Sequence, residues 1–322
     1  MRNLFIRQTM TFLLAGAVSF GSSATVLRLA HHMTTDNVNH ILVLDFANKL
    51  KELSDGTLTV DVYPNGILGG QVELFEGMKL GTIDMSISDT SIIGSYYPPI
   101  GILDLPYIFK DRMSIKKIFS SNVMQPMIDE IQKISEVKIL SIQPVAYRNI
   151  ILKSPLVKNS DFSGIKIRTP NSPTLIDTIK SIGATPNPIP SGEAYTAIQT
   201  GVVDGMEGNP EFLSSIKINE VAKNWYETQH AMTFTALNIS NKKYQSLSQQ
   251  EKKWVSDAVN YAVDNFYIKS QDTDKKWRKY LLDKGVIFNQ VDFSILKEKT
   301  KSMVDNFINK NNLHNLYEEI SK

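Results

Sequence analysis

A chain of 322 residues with 42 % apolar content is long enough for two ordinary domains, and it can bury most of its apolar surface without a covalent staple. Cysteine is absent, which excludes disulfides, thiolate metal sites, cysteine nucleophiles and anchoring through a lipidated cysteine. The 35 Lys and Arg nearly balance the 33 Asp and Glu, unlike a nucleic-acid binder, so attraction for an anionic ligand must come from a few placed groups.

Arg2 and Arg7 precede the apolar stretch Met10 to Ala17, and Ser22 and Ala24 fall at the −3 and −1 places of a cleavage site. Residues 1–24 therefore read as an export signal cleaved after Ala24, which places the mature protein in the periplasm. A membrane-spanning helix needs about 20 apolar residues, and this stretch is shorter and interrupted by Gly16 and Gly21.

Val26 to Ala30 reads as a first strand ending at His31 and His32. A helix follows, with Leu42, Phe46, Leu50 and Leu53 on one stripe, and stops at Asp55-Gly56. Leu58, Val60 and Val62 alternate along a second strand before the turn Pro64-Asn65-Gly66. A second helix from about Gln71 ends at Gly81, and the strand Ile83 to Ile87 leads into the polar corner Ser88-Asp89-Thr90-Ser91. Strand, helix, strand is the opening of an α/β lobe, and ligands of such lobes sit at the carboxyl ends of strands, where His31, His32 and Asp89 fall.

Val137 to Ile142 adds a strand, and the short β runs Arg148 to Leu152 and Ile165 to Ile167 are expected to cross to a second lobe near residues 144–150. Ser172 and Pro173 have the form of an N-cap and first-turn proline opening a helix that ends at Gly183. A Pro-punctuated strand, another helix and the turn Asp204-Gly205 follow. All 13 prolines lie at or before Pro210, and only Gly285 of the 17 glycines lies beyond it, so the last third is expected to be helix-rich. Ser248 to Glu251 forms a capping box, and nothing breaks the helical pattern until about residue 284. At ~1.5 Å per residue that helix would reach about 50 Å, longer than one small lobe. Without a sustained heptad it reads as packing across both lobes, and nothing asks for more than a monomer.

Arg168 sits where the short strand Ile165-Lys166-Ile167 gives way to a loop whose far side is fixed by the next helix. A guanidinium donates two parallel hydrogen bonds to a carboxylate and stays charged, so a rigidly held arginine here suits capture of a small anion. Most exposed arginines are simply solvated, and position alone makes Arg168 no more than a candidate.

Six stretches in order raise the case: LRLAHH from Leu27, YPNGILGG from Tyr63, GTIDMSIS from Gly81, LDLPYIF from Leu103, GIKIRTPNSP from Gly164 and EAYTAIQTGVVDGMEGNP from Glu193. With these the chain resembles the DctP-like solute-binding proteins of tripartite ATP-independent periplasmic (TRAP) transporters over its whole mature length. The resemblance implies a two-lobe α/β periplasmic-binding-protein fold with a hinge cleft and a long helix bridging both lobes. The division it suggests is a first lobe over 25–146, a second over 147–240, and a helical region over 241–322 with the bridging helix at about 249–284. It also implies closure on an organic acid, a sugar acid such as a uronate or keto-sugar acid, and delivery to the membrane subunits of a TRAP symporter.

The same resemblance makes Arg168 the carboxylate partner and Arg148 the second arginine of the site. It brings Glu73, Asp89 and either His32 or His31 toward the ligand, and it places Glu207 and Asn209 in the motif that closes the second lobe. Two departures stand out. Gly208 separates Glu207 from Asn209 where relatives often have Asn directly, and Ser191-Gly192 replaces an aromatic residue.

Other functions are weaker on the residues. There is no Gly-rich phosphate loop, no G-x-S-x-G elbow and no His-Glu metal motif, so neither a cofactor nor a metal is expected. Glu73 and Asp89 could form a hydrolytic carboxylate pair acting on a sugar acid, and a sensing role at a receptor would use the same closed surface as delivery.

Overall fold

The computed structural model describes residues 24–109, 111–270 and 273–321. Of the expected export signal, residues 1–24, all but Ala24 lie outside the described residues.

Among the described residues nine strands form a single sheet: β1 Thr25–Ala30, β2 Leu58–Tyr63, β3 Met85–Asp89, β4 Val137–Leu152, β5 Lys166–Thr169, β6 Thr185–Pro188, β7 Gly205–Gly208, β8 Asn224–Ser240 and β9 Ile287–Asn289. Their order is β2-β1-β3-β8-β4-β7-β5-β6, with β9 paired to β8. β1 runs parallel to β2 and β3, and β5 runs parallel to β6 and β7. These two parallel groups are joined by β4 and β8, which pair antiparallel with each other along almost their whole length.

Strands of 16 and 17 residues, at ~3.3 Å per residue, reach roughly 50 Å and pass through both lobes. Val137 to Ile142 and Arg148 to Leu152 are thus parts of one strand, β4, while the run ending at Ile167 lies in the separate short strand β5. Register shifts between Ile139 and Ser141, Pro144 and Ala146, and Arg148 and Ile150 relieve the pairing where Pro144 has no N–H to give. β8 carries the chain back, and its end, Thr235 to Ile239, pairs with β3. The last residues assigned to the second lobe therefore complete the sheet of the first. Asp204-Gly205, read as a turn, ends one: Gly205 opens β7 between β4 and β5.

Helices cover the sheet where the sequence stripes require. Helix α1, Val38–Leu53, is capped by the Asn37 side chain, which accepts from the Asn39 N–H. It buries Leu42, Phe46 and Leu50 against Leu27, Leu29 and Ile87 of the first lobe. Helix α2, Gln71–Leu80, stops at Gly81, whose φ of 75° lies in the left-handed region open to glycine. The helix Pro173–Ser181 begins at Ser172, whose hydroxyl accepts from the Leu175 N–H. In the second lobe Ile151, Ile198, Met206, Leu213 and Trp225 make one core, while Ile150, Phe162, Ile167, Ile179 and Tyr226 make another on the opposite face.

The expected bridging helix is described as two helices, Gln249–Ser270 and Thr273–Asp283, residues 271 and 272 lying outside the description. Its capping box is reciprocal: the Ser248 N–H donates to Glu251 Oε2 (2.7 Å) and the Glu251 N–H donates to Ser248 Oγ (3.2 Å). The first of these helices packs on α1 and β4, burying Val255, Ala258, Ala262 and Phe266, and the second packs on the helix Pro210–Ser215 of the other lobe.

The tightest strand contact is at Gly205, where a β-carbon would lie 2.1 Å from the Ile151 carbonyl oxygen and 2.9 Å from Leu152 Cα. Both obstacles are backbone, so neither can swing aside. Gly205→Ala is expected to cost at least about 2 kcal/mol of unfolding free energy in urea titration; an unchanged midpoint would show that β7 is not held against β4 in this register.

Candidate ligand-binding site

A cavity of about 560 Å³ opens between the two lobes. The first-lobe wall carries His32, Asn37, Asn39, Gln71, Glu73 and Asp89, and the second-lobe wall carries Arg168, Asn171, Ser191, Asn209 and Phe212. Arg148 of β4 with Thr233 and Thr235 of β8 makes the floor. Two larger cavities, of about 780 and 690 Å³, lie against the C-terminal helix Phe293–Asn311 and contain none of the expected ligand groups.

The two arginines are in different electrostatic states. Arg148 is already paired: its Nε donates to Glu207 Oε2 (2.5 Å), Nη2 to Glu207 Oε1 (2.7 Å), and Nη1 to Thr233 Oγ1 (3.2 Å). Burial works against the Arg148 charge, but the Glu207 carboxylate overrides it and raises the pKa. Burial would likewise raise Glu207, yet Arg148 and the hydrogen bond from His230 hold it at about 2. His230 is buried and lowered by that burial, so the neutral ring donates from Nε2 to Glu207 Oε2 (3.3 Å) while Nδ1 accepts from the Thr228 hydroxyl (2.8 Å). Glu207, expected to touch ligand, is fully buried behind Arg148 and is absent from the cavity wall.

Arg168 is 3 % exposed and forms no ion pair among the described residues. Its Nε donates to the Ile189 carbonyl (2.7 Å), which fixes the plane of the guanidinium at the cavity wall; no hydrogen bond from either Nη is present among the described residues. Burial pulls its pKa down to about 10, with Glu207 pulling up and Arg148 pushing down. A buried cation without a counter-charge is unfavourable by several kcal/mol, and a carboxylate on the open Nη edge removes that cost.

Asn209 caps the helix Pro210–Ser215, its Oδ1 accepting from the Phe212 N–H (2.9 Å). That bond commits the carbonyl end, so the Asn209 amide offers a donor, close to Thr233 Oγ1 at 3.4 Å. The inserted Gly208 does not remove Asn209 from the wall; a β-carbon at 208 would lie 3.3 Å from Leu213 and 3.4 Å from Phe212.

Across the cavity Asp89 ends β3 and is clasped by Gln71, which accepts from the Asp89 N–H (2.7 Å) and donates to Oδ2 (3.3 Å). Glu73 folds back over the start of α2, since a β-carbon on Gly70 would lie 2.8 Å from its Oε2. Of the adjacent histidines, His32 faces the cavity. His31 is fully buried, with Nε2 3.0 Å from His40 Nδ1, and burial followed by repulsion from His40 and His32 lowers it to about 4. Among the described residues no cluster of His, Asp or Glu could hold a metal ion.

Thr233 and Thr235 escaped the sequence reading, because β8 is buried on both faces along its second half and so shows no polar alternation beyond this Thr-x-Thr pair. Asn39 and Gln71 were missed for the same reason that any helix-start polar residue is: capping explains them locally. The structure gives Asn39 more, as its Oδ1 accepts from Thr235 (2.8 Å), which accepts from Gln143 (3.1 Å).

The lobes also touch directly at the cavity. Glu211 follows Asn209 and Pro210, and its Oε1 accepts from the Val38 N–H at the start of α1 (3.1 Å). Burial pushes its pKa up to about 7 against the pull of that N–H.

Comparison with known proteins is consistent over the whole fold. The model of bacterial extracellular solute-binding proteins, family 7 (DctP), matches residues 29–311. A solute-binding protein of Roseobacter denitrificans is 29 % identical over 294 residues, 90 % of this chain and 89 % of its own. Its crystal structure, a TRAP periplasmic solute-binding protein with bound L-galactonate, superposes with a TM-score of 0.85 at 27 % identity over 93 % of this chain and 99 % of that one. A TRAP periplasmic solute-binding protein of Citrobacter koseri with bound D-glucuronate gives 0.86 at 26 % identity, over 92 % and 99 %. The 2,3-diketo-L-gulonate-binding periplasmic protein of Escherichia coli is 29 % identical over 246 residues, 75 % of each chain.

The raised Glu211 pKa has a definite sign. The native state binds a proton that the unfolded chain releases between about 7 and the ordinary 4.5, so this group adds stability as pH falls through that window. Relative to Glu211→Gln, which cannot take up the proton, the wild type should gain on the order of 2 kcal/mol between pH 8 and pH 5.5 in urea unfolding. A difference that is constant with pH, or that shrinks, would place the Glu211 carboxyl in water.

Proposed function

The chain belongs to bacterial extracellular solute-binding protein family 7, the DctP family, as a TRAP-type solute receptor, and from that premise we propose that it captures a sugar acid in the interlobe cleft and delivers it to TRAP membrane subunits. The observation that carries the reading is Arg168, a buried guanidinium with its Nε fixed and its Nη edge open to the cavity. A carboxylate supplies the missing counter-charge bidentately, at low entropic cost because the fork is already held.

The rest of the wall suits hydroxyl groups. Asp89 and Glu73 accept, Asn209 and the Thr233 hydroxyl donate, and Thr235, whose proton goes to Asn39, accepts, which is the complement a polyhydroxylated acid requires. The relatives with bound L-galactonate and D-glucuronate, and the one that binds 2,3-diketo-L-gulonate, support this class. Arg148 stands beside Arg168 at the floor, its charge shared with Glu207, and orients the acid without competing for it.

Capture works by closure. Arg168 and Asn209 belong to one lobe and His32, Asp89 and Glu73 to the other, so a ligand reaching both walls stabilises the closed arrangement over the open one. The Glu211 to Val38 hydrogen bond joins the two lobes in this structure and adds to the same state. Residues 1–24 read as the export signal that brings the receptor to the periplasm, and among the described residues no helix is long and apolar enough to cross a membrane.

Titration calorimetry with D-glucuronate, D-galacturonate, L-galactonate and 2,3-diketo-L-gulonate tests the reading. At least one should bind, and Arg168→Lys should weaken that acid by roughly 1 to 3 kcal/mol through loss of the fork. Affinity unchanged in the variant would remove Arg168 as the anchor, and binding of none of the four by the wild type would remove the ligand class.

A further inference from the structure

The cavity has an asymmetric charge distribution that says more about its ligand than the presence of a carboxylate. Arg148 and Arg168 are the only lysine or arginine side chains on its wall among the described residues. Arg148 spends three of its five N–H donors on Glu207 and Thr233 and its charge is balanced by Glu207, so Arg168 is the cavity cation that has no counter-charge among the described residues.

The opposite wall is acidic. Asp89 and Glu73 both line the cavity there, and among the described residues that wall carries no basic side chain of its own; the charges of Arg148 and Arg168 reach Asp89 across the cavity but do not cancel the two carboxylates. His32 stands beside Asp89, and its burial lowers its pKa in spite of that carboxylate, which keeps the ring neutral. Gln71 holds Asp89 at two points, its own amide N–H and Oδ2, so the carboxylate is fixed in place and cannot swing away from a repulsive group.

On the reading of the cleft as a sugar-acid site, we propose that it selects monocarboxylate sugar acids and rejects dicarboxylates with the same carbon skeleton, and that Asp89, clasped by Gln71, enforces the choice. A ligand anchored at Arg168 presents its far end to Asp89 and Glu73. A hydroxyl there donates a hydrogen bond to a carboxylate; a second carboxylate has no proton to give and meets the like charges of half-buried Asp89 and of the more exposed Glu73. Like-charge juxtaposition opposes binding, and rejection of the wrong partner by repulsion is an ordinary route to specificity.

The test is calorimetry with L-galactonate and galactarate, which share an open six-carbon chain and differ in whether the far carbon is a hydroxymethyl group or a carboxylate. The wild type should bind the monoacid at least roughly 100-fold more tightly than the diacid. Asp89→Asn keeps the size and the Gln71 contacts while removing the charge, and should narrow that ratio at least tenfold, chiefly by strengthening galactarate. Glu73→Gln should act in the same direction, and it serves if Asp89→Asn lowers the melting temperature of the unliganded protein. Galactarate bound by the wild type within threefold of L-galactonate overturns the proposal and leaves the sugar-acid reading standing. A ratio unmoved in both variants overturns the role of the acidic wall. If the wild type binds neither acid nor any other sugar acid, the reading of the cleft and the proposal fall together.

Discussion

The buried pair of Arg148 and Glu207 is the interaction around which the rest of the molecule is arranged. Arg148 lies on β4, Glu207 on β7, and their partners Thr233 and His230 on β8, so one ionic cluster ties three strands at the point where the lobes meet. A buried ion pair gains little net stability over an apolar pair of the same size, but removing one member leaves an uncompensated charge. The cluster therefore acts chiefly as a constraint: it fixes where β4, β7 and β8 can lie relative to one another and brings a positive floor to the cleft without leaving a free charge on it.

That constraint gives Arg168 its role. Two guanidiniums in one cavity would repel, and burial already lowers Arg168 to about 10; with Arg148 neutralised from behind by Glu207, the second cation is tolerable and remains open on one edge. The cost of holding it is offset when an anion arrives. The opposite wall carries acceptors and neutral amides, so the cleft is polarised from one cationic end to an acidic one, and its preference follows from that polarity.

The lobes are joined by more than a hinge. β4 and β8 pass continuously through both, and the two helices Gln249–Ser270 and Thr273–Asp283 pack on opposite lobes. Closure then has to be a bend in long antiparallel strands, and the register shifts of β4 at Pro144 and Arg148, together with the positive φ of Gln229 on β8, lie where such a bend would fall.

Local pattern alone was enough for α1 and its stripe, the caps at Ser172 and Ser248, the helical last third, and Arg168 at the end of a short strand, because each is set by neighbours within a few residues. The family resemblance added Arg148, Asn209, Asp89, Glu73 and His32, which line one cavity, and Glu207 and His31, which do not. What the chain order could not express was pairing between distant segments. The continuity of β4, the existence of β8, and the strand at Gly205 depend on β4–β7 and β4–β8 pairings of residues 53 to 103 positions apart, so short-range periodicity could not reveal them. For the same reason sequence distinguished neither His32 from His31 nor the free arginine from the paired one. Residue type determined that this protein carries groups able to hold a carboxylate; only the tertiary structure decided which of them are spent on one another in the dry interior and which are left for the ligand.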